Sequence, residues 1–117
     1  METGVVRGEH RPIEETDWGS LQWLLGGDED LGLTLGRVTF KPGQANPAHL
    51  HPNCAEVLYV IKGELEHTLP GGDMTRLKPG DCILLPPDDG HYARNVGDDE
   101  AVVLVIYNSE DRQVIGE

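Results

Sequence analysis

The chain has 117 residues and carries 21 Asp and Glu against 9 Lys and Arg, a formal net charge of -12. That length suits one domain of ~100–150 residues, so residues 1–117 are read as a single unit with a core spanning about 31–108. So acidic a surface excludes a nucleic-acid partner and disfavours an anionic membrane, because both demand a surplus of Lys and Arg.

Disorder is excluded by compact apolar runs such as Val57 to Ile61 and Ala101 to Tyr107. The second of these is the longest, and it falls well short of the ~20 residues that span a bilayer. The start, Met1 to Arg7, shows no basic-then-apolar leader pattern. Two cysteines, Cys54 and Cys82, are too few for a disulfide framework and are expected as free thiols in a reducing, cytoplasmic setting.

Glycine and proline punctuate the chain, 15 and 8 in number, and short runs of Val, Ile, Leu and Thr lie between them, which predicts an all-β sandwich or barrel. In chain order, strands are expected near Ser20–Leu25, Leu31–Phe40, Ala45–His51, Ala55–Ile61, Glu64–Leu69, Met74–Leu77, Cys82–Leu85, His91–Asn95 and Ala101–Asn108. Only Ile13 to Leu21 carries a weak helical spacing. Lys41-Pro-Gly43 and Lys78-Pro-Gly80 form two turns of similar composition, a faint internal echo. The ends, before about Gly8 and after Arg112, are expected to fray.

His49 and His51 stand two apart on an expected strand, so both side chains point to one face. Glu56 shares its face with Leu58 and Val60, and a carboxylate among core residues needs a partner. His91 follows the turn Pro86 to Gly90, placed to be a fourth inward group. Three imidazole nitrogens and one carboxylate oxygen suit a divalent ion such as manganese, iron, nickel or zinc. Taken singly, each of these residues has an ordinary reading: a solvent-facing His pair, a surface glutamate, a turn histidine.

The frame around them reads Gly43-x5-His49-x-His51-x4-Glu56-x6-Gly63, then Gly80-x5-Pro86, then His91-x3-Asn95. In order and spacing it resembles the two motifs of the cupin superfamily, over roughly Leu31 to Asn108. The resemblance implies a double-stranded β-helix, or jelly-roll, barrel, a metal held by His49, His51, Glu56 and His91, and a homodimer. The family usually has glycine two residues after the second-motif proline. Asp88 stands there instead, with Gly90 directly before His91, which leaves the path of that loop open.

The function so implied is a mononuclear metal enzyme acting on a small oxygen-rich metabolite: a dioxygenase, isomerase or decarboxylase. The alternative is a non-catalytic binding or sensing module with a bound metal. His67 alternates with Leu65 and Leu69 and is a weak candidate for a pocket acid or base, its ordinary reading being a core histidine bonded to a neighbour. Tyr59, with Val57 and Ile61, should face away from the cavity and pack on a second sheet or a partner subunit. Cys54 is read as turned away from the metal, and Cys82 as a small hydrophobe in its strand. Trp18 and Trp23 are expected to close a barrel end or an interface rather than stack on a sugar. Arg37 is a weak candidate for a substrate carboxylate, Arg94 should face outward, and Asn95 should brace its strand. The turn from Gly97 to Glu100 reads as solvated, without a calcium loop.

Overall fold

The computed structural model describes residues 2–27 and 29–116, so Met1, Asp28 and Glu117, including the outermost residues of both expected fraying ends, lie outside the description. In chain order the strands are β1 (Glu14–Glu15), β2 (Gly19–Leu25), β3 (Thr34–Phe40), β4 (His49–Leu50), β5 (Glu56–Lys62), β6 (Leu65–Thr68), β7 (Met74–Leu77), β8 (Cys82–Leu85), β9 (Ala93–Asn95), β10 (Ala101–Tyr107) and β11 (Ile115–Gly116). They form a six-stranded sheet in the order β1-β2-β3-β10-β5-β8, a three-stranded sheet β7-β6-β9, and the pair β11-β4. From β3 onward the chain passes back and forth between these sheets, the jelly-roll arrangement expected from the sequence. No helix among the described residues is long and apolar enough to cross a membrane.

Alternation decides what enters the core. On β5, Glu56, Leu58 and Val60 are buried while Tyr59 and Ile61 are exposed. On β3, Thr34, Gly36, Val38 and Phe40 point inward. β10 lies between β3 and β5, and there Val102 is buried beside Ala101 and Val103, so its pattern reads as a nearly continuous apolar run. The two Lys-Pro-Gly turns are alike in structure as in sequence: Gln44 N–H bonds the Lys41 carbonyl at 3.1 Å, and Asp81 N–H bonds the Lys78 carbonyl at 2.9 Å.

Three expectations change, and one open point is closed. The strand foreseen over Ala45–His51 contracts to β4, because Pro47 has no N–H to donate; the residues before it meet β9 through the isolated bridge Ala45–Arg94 and single bonds such as Asn46 N–H to the Ala93 carbonyl at 3.3 Å, and His49 bridges His91. The weak helical spacing of Ile13 to Leu21 becomes β1, a turn and the start of β2, with the Gly19 N–H capped by Thr16 Oγ1 at 2.9 Å. The loop into β9 keeps a tight path despite lacking the family's glycine. Asp88 itself takes the left-handed conformation, φ 68°, and its N–H bonds the His51 carbonyl at 3.0 Å. The C-terminal segment does not fray after Arg112: β11 pairs with β4, and the Gln113 N–H bonds Asn53 Oδ1 at 2.8 Å.

Candidate metal centre

His49 on β4, His51 just after it, Glu56 at the head of β5 and His91 before β9 converge on one point. One donor atom from each lies within 4.8 Å of the other three. His51, Glu56 and His91 are buried, and His49 is half-buried at the cavity edge. Register makes the convergence: the His49–His91 bridge aligns two imidazoles, and antiparallel pairing of Glu56 with Tyr107 turns the carboxylate toward them.

The outer nitrogens of the three rings are spoken for. Nδ1 of His49 donates to the Pro47 carbonyl at 2.8 Å, that of His51 to the Gln113 carbonyl at 2.8 Å, and that of His91 to the Asp89 carbonyl at 2.9 Å. With the proton on Nδ1, each neutral ring offers an Nε2 lone pair inward. Those lone pairs meet Glu56 Oε1, at 3.1 Å from His91 Nε2 and 3.3 Å from His51 Nε2. Acceptor faces acceptor there, and His51 Nε2 is buried without a hydrogen-bond partner. A cation among the four donors satisfies them all, so the residues fit a divalent metal.

Without a cation, protons do part of that work. Burial alone would raise the Glu56 carboxyl, but the His51 and His91 imidazoles beside it, His91 by a hydrogen bond, outweigh it and hold the group at about 2. Burial opposes a charge on His91, yet the Glu56 carboxylate beside it raises its pKa. Burial and the neighbouring imidazoles hold His49 below the usual histidine value.

The donors sit in the wall of a cavity of about 400 Å3 whose other lining includes Leu58, Val103, Val105, Asn46, Tyr107 and Arg112. His67 is there too, fully buried, its ring 5.7 Å from that of His91 and nearly parallel to it, but outside the four-donor group. Its Nδ1 donates to the Thr68 carbonyl at 2.8 Å, while Nε2 has no partner. Leu69, expected on the same face, lies past the end of β6 and is exposed.

Trp18 and Trp23 line the cavity. Cys54 is buried and outside the donor group; burial pushes its thiol up. Cys82 is exposed, since it pairs with Tyr59 on the outer face of the sheet. Arg37 is exposed and lies beside the N-terminal segment, away from the cavity. Arg94 faces outward and bonds the Gly43 carbonyl, and buried Asn95 ties the Phe40 and Asp99 carbonyls together. Asp99 sits in the solvated turn, 3.7 Å from Lys62.

Sequence reasoning passed over Asn46, Tyr107 and Arg112. Tyr107 was findable, since it shares parity with Val103 and Val105 on β10. Asn46 lies in irregular backbone and Arg112 beyond the last strand of the predicted core, so neither carried a periodic signal.

The family model for the Cupin domain matches residues 36–107. Oxalate oxidase GF-3.8 of Triticum aestivum is 35% identical over 107 residues, covering 86% of this chain and 47% of that protein. Among solved structures, a recombinant oxalate oxidase in complex with glycolate superposes with a TM-score of 0.76 at 28% identity, covering 87% of this chain and 56% of that one. A variant of Bacillus subtilis oxalate decarboxylase gives 0.84 at 25% identity, covering 94% and 31%. The chain thus spans less than half the length of the curated relative it matches.

Proposed function

The chain belongs to the cupin domain family, and from that premise we propose that it is a mononuclear divalent-metal enzyme acting on a small oxygen-rich metabolite of the oxalate and glycolate kind. One observation carries the reading: His49, His51, Glu56 and His91 aim their donors at a single point inside a largely apolar cavity. Bound there, the metal supplies a Lewis acid that polarises a substrate oxygen.

The chain's own residues do the rest. Three backbone carbonyls fix the imidazoles in the tautomer that presents Nε2 inward. Glu56 stays anionic near neutral pH and brings a negative charge to the donor set. Leu58, Val103 and Val105 limit water, which strengthens every electrostatic contact inside.

Purified protein should retain about one divalent metal per chain after dialysis, and the metal-loaded form should consume oxygen or release carbon dioxide with oxalate, glycolate or a related keto acid. Metal uptake with a silent panel but tight binding of one such acid favours the binding module over the enzyme. A chain that takes up no metal overturns both.

For the assembly the reading is a homodimer. Tyr59, Ile61 and Leu84 present exposed apolar surface on β5 and the edge strand β8, a face that a second copy would cover. Light scattering at micromolar concentration tests it, and a monomer refutes it.

A further inference from the structure

Arg112 is the single Lys or Arg among the described residues that line the cavity. Its guanidinium carbon lies 4.1 Å from the centroid of the Trp23 ring and 5.2 Å from that of Tyr107. Tyr107 in turn packs edge-on against His51, with ring centroids 4.8 Å apart, so one aromatic ring separates the guanidinium from a candidate ligand. No carboxylate of the described residues pairs with Arg112, in a chain with 21 acidic residues. Glu56, the acid in the same cavity, is committed to His51 and His91.

The placement is built into the sheet. Trp23 lies directly across from Gly36 in the β2–β3 register. A Cβ at position 36 would come within 2.6 Å of the Trp23 ring, so the bare glycine is what lets the indole lie against β3. The ring of Tyr107, one strand over, sits 6.2 Å away. Two aromatic faces therefore seat the guanidinium by cation–π attraction, with no counter-ion consumed. A guanidinium held by its face keeps its edge N–H groups for a planar bidentate acceptor, and carboxylate is the group that matches this fork. Arg112 also lies outside residues 36–107, so the general family match does not account for it.

Resting on the metal-enzyme reading above, we propose that Arg112, seated on Trp23 and Tyr107, is the carboxylate-binding residue of this cavity and selects anionic substrates over neutral ones. His49, His51, Glu56 and His91 would hold the metal that polarises a substrate oxygen, and Arg112 would hold the charged carboxylate. Its local positive charge also offsets the repulsion that a chain of net charge -12 exerts on an entering anion.

Glycolate and glycolamide test this, since the two share hydroxyl and carbonyl oxygens and differ in charge. Each is titrated into metal-loaded wild type, Arg112→Gln and Arg112→Lys, with tryptophan fluorescence as the readout. Expected is a loss of about 10–100-fold in glycolate affinity in R112Q, glycolamide affinity within about twofold of wild type, and partial recovery of glycolate binding in R112K. Equal glycolate affinity in wild type and R112Q overturns the proposal. So does an equal loss of both probes, which marks a collapsed cavity, or a wild type that binds neither. The same titrations in chelator separate this from the metal reading: a chain without metal uptake fails as an enzyme, while the R112Q-to-wild-type ratio for glycolate still judges Arg112.

Discussion

The Nδ1–H of His51 donates to the main-chain carbonyl of Gln113 across 2.8 Å, joining a candidate ligand to a segment 62 residues further along the chain. The same segment carries Arg112 and, through β11, pairs with the strand that holds His49. The C-terminal strap is therefore part of the site's outer support, although none of its described side chains belongs to the donor group.

Ending the chain after Asp111 removes that carbonyl and the β11–β4 pair. Lost outer support of a metal-bound histidine commonly costs 10–100-fold in affinity, and a loss in that range is expected here. Competition with a metal-chelating dye measures it. Unchanged affinity would show that His51 is oriented by packing against Tyr107 alone.

His91→Ala should reduce metal affinity by at least about 100-fold, since it deletes a donor and leaves the Glu56 charge buried. His67→Leu should retain metal within about twofold, because His67 lies outside the donor group. Elemental analysis of both variants after dialysis separates these outcomes. Comparable losses in the two would place His67 among the ligands.

In metal-free protein the Glu56 carboxyl is held at about 2, against an ordinary value of 4.5. A depressed carboxyl contributes stability that is complete above its unfolded value and is lost as pH falls through its folded value. Wild type in chelator should therefore exceed Glu56→Gln by an amount on the order of 3 kcal/mol near pH 6, and that gap should close as pH falls from 4.5 toward 2. Urea unfolding of both proteins across this range measures it, and a gap independent of pH contradicts the charge-based account.

Gly36→Ala forces the Trp23 ring off β3, because the added carbon meets its edge at 2.6 Å. A destabilisation of about 1–3 kcal/mol is expected, with altered tryptophan emission. An unchanged urea midpoint and spectrum would mean that Trp23 has free room to move.

Much of the architecture was legible because strand alternation and Pro-Gly turns are local signals. Met74–Leu77 and Cys82–Leu85 match β7 and β8 residue for residue. The inward parity of Glu56 with Leu58 and Val60 likewise came from period two. The irregular approach to His49 did not, because Pro47 breaks the ladder that the pattern implied. Cys82 was misjudged for a related reason: its strand is apolar on both faces, so composition could not say which face was wet.

By itself the sequence determined the four candidate donors and most of the strands that carry them, since motif spacing and side-chain alternation act over a few residues. The tertiary structure decided what surrounds those donors. Carbonyls from Pro47, Asp89 and Gln113 orient the rings, and Gly36 seats Trp23 beneath Arg112. These partners come from separate strands and from a tail with no periodicity, and only the folded register brings them within reach.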